Sequence, residues 1–541
     1  MTRDTTDAGR LVRASVFVGL GTLLSRVTGL VRVVALAYAI GRGSLADSYN
    51  LANTTPNVIY ELILGGVLTA TLVPLFVEHL ERRDERATSA VVTAAAILLV
   101  VLTVVAVVAA PLIARVYSLD TSGAERDAQV EVMTFLIRCF MPQICFYGLT
   151  AMATALLNAR RRFAAAAYAP VLNNIAVVAT LLAFVRLADG SQEGWRDVTR
   201  IRGETDLLLL LGLGTTAGVA ALALSLLPAL ARAGVRLRPV LDLKHAAVRR
   251  VVALSGWTVG YVVANQVALL FVLLLANSGD DGAVSAYQYA FVFFQLPHGL
   301  FAVSVMTTMT PELARDAAAG DMPALRRDFS MGLRFVVLVV LPAAVALGVL
   351  AQPAVATLTL GGSAFGATDA AVTADVLQTL AIGLVPFSVY LYTLRGFYAL
   401  QDTRTPFVVN AFENACNIAL AIALFALLDV QGLGLAYSGA YGIAAVVALL
   451  MLQRRTGTVV DARVTATLVR AGLAAGALAM VAAPIAGAIG QGSPVRAAVA
   501  AGAGALAGGA VYVAVLAATG ADEVGMLARL VRKRGKASPG V

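Results

Sequence analysis

The chain has 541 residues, of which 59% are hydrophobic and 13% charged, with a net charge of +9 and a mean hydropathy of +0.82. A soluble domain carries about 25% charged residues, so water is not the main solvent of this chain. The basic excess does not point to nucleic acid, because the Lys and Arg residues lie in alternate breaks between apolar runs and so record membrane topology.

Runs long enough for a spanning helix of about 20 residues recur from residue 14 almost to the end. Fourteen are predicted, at 14 to 40, 48 to 77, 88 to 117, 130 to 157, 166 to 187, 206 to 231, 251 to 276, 284 to 311, 331 to 355, 374 to 400, 406 to 428, 432 to 453, 465 to 490 and 496 to 519. One set of alternate breaks holds Arg82, Arg83 and Arg86, then Arg160, Arg161 and Arg162, then Arg232 through Arg250, and later Arg315, Arg326 and Arg327. Arg404, Arg454, Arg455 and Arg463 follow in the same set, which places both chain ends in the cytoplasm. The segment 186 to 206 is the exception, since Arg186, Arg196, Arg200 and Arg202 stand there among several carboxylates.

The first span carries Arg26 and Arg32 near its middle. An arginine at the bilayer centre costs about 2.5 to 3.5 kcal/mol on insertion scales. At 100° per residue the two stand about 120° apart around the helix, so both can border one wide cavity. There a guanidinium pair suits a phosphate or pyrophosphate, which it grips bidentately; the plainer alternative is snorkelling or a structural ion pair. The second span begins after Asp47 and contains Asn57 and Glu61, with Gly65 and Gly66 one turn later. Glu61 is expected to oppose Arg26 or Arg32, either as a gating or coupling group or as simple charge neutralisation. The two glycines allow close helix packing or bending. Arg138 in the fourth span and Glu413 with Asn414 in the eleventh are further polar groups in apolar surroundings.

An internal repeat sets the organisation. Pro142, Leu156, Asn158, Arg160 and Asn173 recur 244 residues later as Pro386, Leu400, Asp402, Arg404 and Asn417. The unit is six helices, so the two copies enter the membrane from the same side, as in transporters built from parallel repeats, and a substrate site is expected between them. The expected fold is an all-α polytopic membrane protein of about fourteen helices, with lobes at 1–235 and 236–460, two added helices within 461–519, and a basic tail at 520–541. Prolines such as Pro142, Pro297 and Pro386 are expected to bend their helices.

Absences narrow the class. No G-x-x-x-x-G-K-[ST] segment occurs, and His79, His245 and His298 form no H-E-x-x-H pattern, so neither a P-loop nor a membrane metalloprotease is read. Cys139, Cys145 and Cys416 have no metal-ligand or disulfide spacing. No cofactor and no metal are expected.

A set of segments then resembles one family. They are Ser25-Arg26-Val27 with Gly29 and Arg32; Ser44 to Tyr49; Pro56-Asn57; Val73-Pro74; Asn158 with Arg162-Phe163; and Ala169-Pro170 with Asn174. Further along are Leu341-Pro342 through Gly348, Gly396-Phe397-Tyr398, Gln401-Asp402 and Thr405-Pro406. Together they are similar to the MurJ (MviN) family of lipid II flippases, within the superfamily of multidrug and oligosaccharidyl-lipid exporters. The resemblance implies a transporter rather than an enzyme, in the bacterial plasma membrane. Its implied substrate is lipid II, the undecaprenyl-pyrophosphate-linked peptidoglycan precursor, or a related anionic polyprenyl lipid, moved by alternating access in cell-wall biogenesis. Cell-wall synthesis or division proteins are the implied partners. Arg26 and Arg32 match the family's cavity arginines and Asp47 an acidic position at the start of the second helix. Tyr60 and Val292 stand where many relatives carry arginine, which brings Arg138 and Gln295 forward as substitute substrate contacts beside Asn57. Against this stand an exporter of another lipid-linked oligosaccharide or a drug, a polytopic glycosyltransferase acting through carboxylates in 120–127 or 186–206, and a non-transporting scaffold.

Overall fold

The computed structural model describes residues 3–520 except 63–71, 73–74, 80–81, 83, 120–122, 161, 189–195, 236, 243–255 and 360–363. The basic tail, Gly65 and Gly66 lie outside the described residues. Among the described residues the regular structure is entirely helical, as a chain in hydrocarbon requires when each backbone N–H and C=O must be satisfied internally.

The helices of the first half are α1 (Arg3–Ile40), α2 (Ser44–Tyr60), α3 (Glu85–Tyr117), α4 (Gly123–Phe140), α5 (Gln143–Ala159) and α6 (Ala164–Ala188). The short α7 (Val198–Ile201) precedes α8 (Thr205–Ser225), α9 (Leu227–Arg232) and α10 (Gly256–Asn277). The next helix, α11 (Ala283–Pro297), passes through a π turn at His298–Ala302 into α12 (Val303–Ala318). The rest are α13 (Met322–Val349), α14 (Ala351–Ala356), α15 (Ala367–Ile382), α16 (Leu384–Ala399), α17 (Arg404–Leu428), α18 (Val430–Thr456), α19 (Ala462–Ile489) and α20 (Pro494–Ala518).

Twelve described stretches are long and apolar enough to cross a membrane, and α15 with α16 makes a thirteenth, bent by 43°. The predicted second span runs from α2 into undescribed residues, which accounts for the difference from fourteen. Both copies of the repeat break at the expected place. One span parts into α4 and α5 beside Pro142, the other into α15 and α16 at Gly383, three residues before Pro386. Proline supplies no N–H to the preceding turn and clashes with its carbonyl, so the ladder is interrupted there in both copies. Asn173 and Asn417, the matched asparagines, each bury a side-chain oxygen that has no hydrogen-bond partner among the described residues.

Packing divides the chain into two compact units, Met1–Ser285 with Gly362–Ala364, and Ala286–Gly361 with Phe365–Val541. In the first, α6 packs against α1 and α8, and α4 against α2, α3 and α8. In the second, α18 packs against α15, α16 and α17, and α19 pairs with α20 and α13. The outer face of α3 leaves Val100, Val101, Val104, Val105, Val108 and Leu112 exposed, the signature of a helix whose neighbour is lipid. By contrast, the exceptional segment before α8 is partly structural. Arg196 donates to the Ala39 carbonyl at 3.3 Å, and the Val198 N–H donates to Ser44 Oγ at 3.3 Å, so residues 196–198 pack on the α1–α2 turn.

Candidate functional site

Two polar constructions stand out in the first unit. One surrounds Asp47. Gly43 precedes α2 and Asp47 lies in its first turn, 4% exposed. Its Oδ2 accepts from the Gly282 N–H at 2.9 Å, and its Oδ1 accepts from the Ser285 N–H at 2.8 Å and the Ser285 hydroxyl at 2.6 Å. Asn50, one turn on, donates to Ser285 Oγ at 3.0 Å. The amides at the start of a helix have no intrahelical acceptor and carry the positive end of its dipole. Asp47 therefore acts as a cap for α11, supplied by a different helix. Close approach of the two turns requires glycine: Gly282 has φ +84°, and a Cβ there would lie 2.2 Å from Arg42 Cγ. Ser285 and Asn50 gave no signal in the sequence, since an ordinary serine and asparagine carry no spacing that marks a distant carboxylate.

The other construction surrounds Arg32. Asn174 on α6 donates to Thr28 Oγ1 at 3.0 Å and to the Ser25 carbonyl at 3.2 Å, fixing the rotation of α1 about its axis. Arg32 is then half-buried, and its charge acts on the phenols of Tyr49 and Tyr147. Tyr147 donates to Gln143 Oε1 at 3.2 Å, Gln143 donates to Thr216 at 3.1 Å, and Thr216 donates to the Cys139 carbonyl at 2.8 Å. Tyr49 shares a 2.8 Å hydrogen bond with Thr215. These relays hold in place two phenols that lie within the field of one guanidinium. Tyr60, at a position where an arginine was anticipated by resemblance, is buried and stacks obliquely on Tyr147 with ring centroids 5.9 Å apart.

The remaining expected residues are more scattered. Arg26 is exposed on α1 and Asn57 exposed on α2. Glu61 is half-buried just past α2, and among the described residues no ion pair joins it to Arg26 or Arg32. Arg138 is exposed in the last turn of α4; there its charge opposes the negative end of a helix cut short by the Pro142 break. Gln295 is half-buried on α11 in the second unit. That unit holds its own buried carboxylate, Glu413, 1% exposed, with neither oxygen hydrogen-bonded among the described residues. Asn410 and Asn417 lie on the same face of α17, at i−3 and i+4. Among the described residues no group of three or more His, Cys, Asp or Glu side chains is arranged to hold a metal ion.

A family model described as lipid II flippase MurJ matches residues 36–493. The chain belongs to the lipid II flippase MurJ family. Among relatives, it is 30% identical over 450 residues to the probable lipid II flippase MurJ of Rhizobium tropici, covering 82% of this chain and 81% of that protein. It is 31% identical over 411 residues to the lipid II flippase MurJ of Burkholderia cenocepacia, covering 73% and 75%. In fold it is similar to a solved lipid II flippase MurJ in an inward closed conformation, with TM-score 0.71 at 20% identity, covering 93% of this chain and 99% of that one. A multidrug resistance MATE family transporter in an inward-facing conformation follows at TM-score 0.64 and 15% identity, covering 80% and 95%. MurJ membership makes the chain a multi-pass membrane transporter rather than an enzyme. The matched residues include Asp47 but begin after Arg26 and Arg32, so the case for those two arginines rests on their own surroundings.

Proposed function

We propose that this protein is a lipid II flippase: it takes the undecaprenyl-pyrophosphate-linked precursor from the inner leaflet of a bacterial plasma membrane and delivers it to the outer leaflet by alternating access. Family membership supports the reading, and the observation that carries its chemistry is Arg32, whose charge reaches two fixed phenols and which has no carboxylate partner among the described residues. A guanidinium offers bidentate donors to a pyrophosphate, and phenolic hydroxyls add neutral donors that do not have to be paired with a counter-charge. A cation already neutralised by a carboxylate would bind an anion poorly, because the ion pair would first have to break. Arg26 contributes a second cation on the same helix, with Asn57, Arg138 and Gln295 as further substrate contacts.

Asp47 has a separate task in this reading. Its bonds to Gly282 and Ser285 tie α2 to the start of α11 at the end of the helices opposite the basic breaks. We assign this clasp to the outward gate, which must release for the substrate to leave. Glu61, with Gly65 and Gly66 after it, remains the proposed bending and coupling point of the second span. Both termini are cytoplasmic, and the lobes follow the repeat, at 1–235 and 236–460. Cell-wall synthesis and division proteins are the proposed partners.

Growth rescue tests the function directly. Cells depleted of their own flippase should grow when given the wild-type chain and lyse when given a double Arg26→Ala, Arg32→Ala variant present at equal level in the membrane. Failure of the wild type to rescue, with normal membrane insertion, would turn the assignment toward another lipid-linked oligosaccharide.

A further inference from the structure

The segment that follows α9 has an unusual construction. Residues 237–240 run extended along the first half of α3, with the Arg238 N–H donating to Ser89 Oγ at 3.3 Å and the Val240 N–H to Thr93 Oγ1 at 3.1 Å. The register is a geometric match. Four helical residues rise about 6.0 Å and two extended residues about 6.7 Å, so the i, i+4 hydroxyls of the helix meet alternate N–H groups of the strap. The intervening residue, whose N–H would point away from the helix, is Pro239 and has none. A strap built this way exposes few orphan backbone donors to hydrocarbon, where each would cost several kcal/mol.

Between strap and helix lies a groove of about 480 Å³, lined by Val92, Ala96, Ile97, Val100 and Val101 on α3 and by Leu237 and Pro239 on the strap, with Arg238 at its rim. It is overwhelmingly apolar, and Arg238 is its one charged lining residue among the described residues. From Ser89 to Val101 the helix rises about 18 Å, close to the roughly 15 Å of hydrocarbon in a single leaflet. In sequence, Arg232 at the end of α9 and Arg236, Lys244, Arg249 and Arg250 flank the strap. Basic clusters next to spanning helices attract the anionic lipids of the cytoplasmic surface, each charge contributing about 1 kcal/mol.

We infer that this groove is a binding site for an anionic glycerophospholipid of the inner leaflet, with an acyl chain along α3 and the phosphate on Arg238. The inference rests on the topology proposed above, which puts the α3 start and the strap on the cytoplasmic side. The occupant follows from the pairing of a leaflet-deep apolar groove with a cation at the headgroup level. A bound lipid here holds the strap against α3.

The test uses the full-length protein in nanodiscs of mixed phosphatidylglycerol and phosphatidylcholine, with retained lipids counted by native mass spectrometry after gentle delipidation. The wild type should retain one phosphatidylglycerol more tightly than phosphatidylcholine. Arg238→Gln should weaken that retention about fivefold without changing phosphatidylcholine. Ala96→Phe, which fills the groove on an exposed helix face, should abolish the preference while leaving thermal stability intact. Equal retention of the two lipids by the wild type, or indifference to both substitutions, would overturn the inference, as would displacement of phosphatidylglycerol by a polyprenyl phosphate at equal concentration. Because retention is measured without transport, a failed growth rescue would leave this result standing on its own.

Discussion

Asp47 and Arg32 sit in the same unit, yet they are provided for in opposite ways. Every oxygen of the carboxylate is occupied by backbone and hydroxyl donors, with three hydrogen bonds of 2.6–2.9 Å. The guanidinium has phenols within its field but is ion-paired to no carboxylate among the described residues. A transporter of an anion needs this division of roles. In the proposed mechanism the negative charge is used up in a contact between elements, where it cannot repel the substrate, and the positive charge is kept available for it. The two failures should therefore look different: loss of Arg32 removes substrate recognition, whereas loss of Asp47 frees a clasp.

The largest expected effect is at the arginine. Hydrogen bonds to charged groups contribute about 1.5–3 kcal/mol each, so Arg32→Ala should lower lipid II flipping by at least about tenfold. Arg32→Lys should recover only part, since an ammonium cannot form the bidentate contact. Full recovery by lysine would reduce the site to a point charge.

Next comes the clasp. Asp47→Ala leaves the Gly282 N–H and the Ser285 N–H and hydroxyl without their acceptor, at about 1–3 kcal/mol for each buried donor. The balance of conformations should move by tenfold or more toward release. A cysteine placed at Ser44 would report it through faster labelling by a membrane-impermeant thiol reagent. Asp47→Asn keeps a carbonyl acceptor and should give an intermediate rate. Equal labelling in all three proteins would break the assignment of Asp47 to a gate.

A smaller effect is expected from Tyr147→Phe, which removes one neutral donor at about 0.5–1.5 kcal/mol. Flipping should fall about fivefold, while the ring stays packed on Tyr60. If Tyr147→Phe matches the wild type, the phenols only pack beside Arg32 and do not contact substrate.

The smallest effect lies in the turn between α16 and α17. Burial alone would raise the Asp402 carboxyl, but hydrogen bonds from Thr405, the neighbouring Arg455 and the Arg404 N–H hold it below its usual range. A carboxylate with a lowered value stabilises the fold above its unfolded value near 3.8 and loses that contribution as the pH falls through the folded value. Arg455 is half-exposed, so solvent screening limits the gain, and Asp402→Asn should cost at most about 1 kcal/mol at neutral pH. Thermal unfolding in detergent should separate the two proteins at pH 7 and bring them together as the pH falls through the lowered folded value of the carboxyl.

The fold was legible because hydropathy alone places helices, and the bilayer permits little else. The repeat was legible because Pro142 and Pro386 interrupt their spans in the same place. The clasp was only half legible: Asp47 stood out as a carboxylate at a helix start, but its acceptor role depends on Gly282 and Ser285, more than 230 residues away. The expected Glu61–arginine pair did not form among the described residues, because helical wheel angles fix direction around one axis and say nothing of the neighbour's height. Tyr147 was hidden for another reason. A tyrosine in an apolar span is ordinary until its hydroxyl is found fixed by Gln143 and lying in the field of Arg32.

The most direct test of the central claim is the amount of lipid II exposed on the outer leaflet of cells depleted of their own flippase. Cells expressing the wild-type chain should show restored exposure, and cells expressing Arg32→Ala at the same membrane level should show almost none. Equal exposure from both proteins would contradict the account, because the cation left without a carboxylate would then have no part in moving the anion.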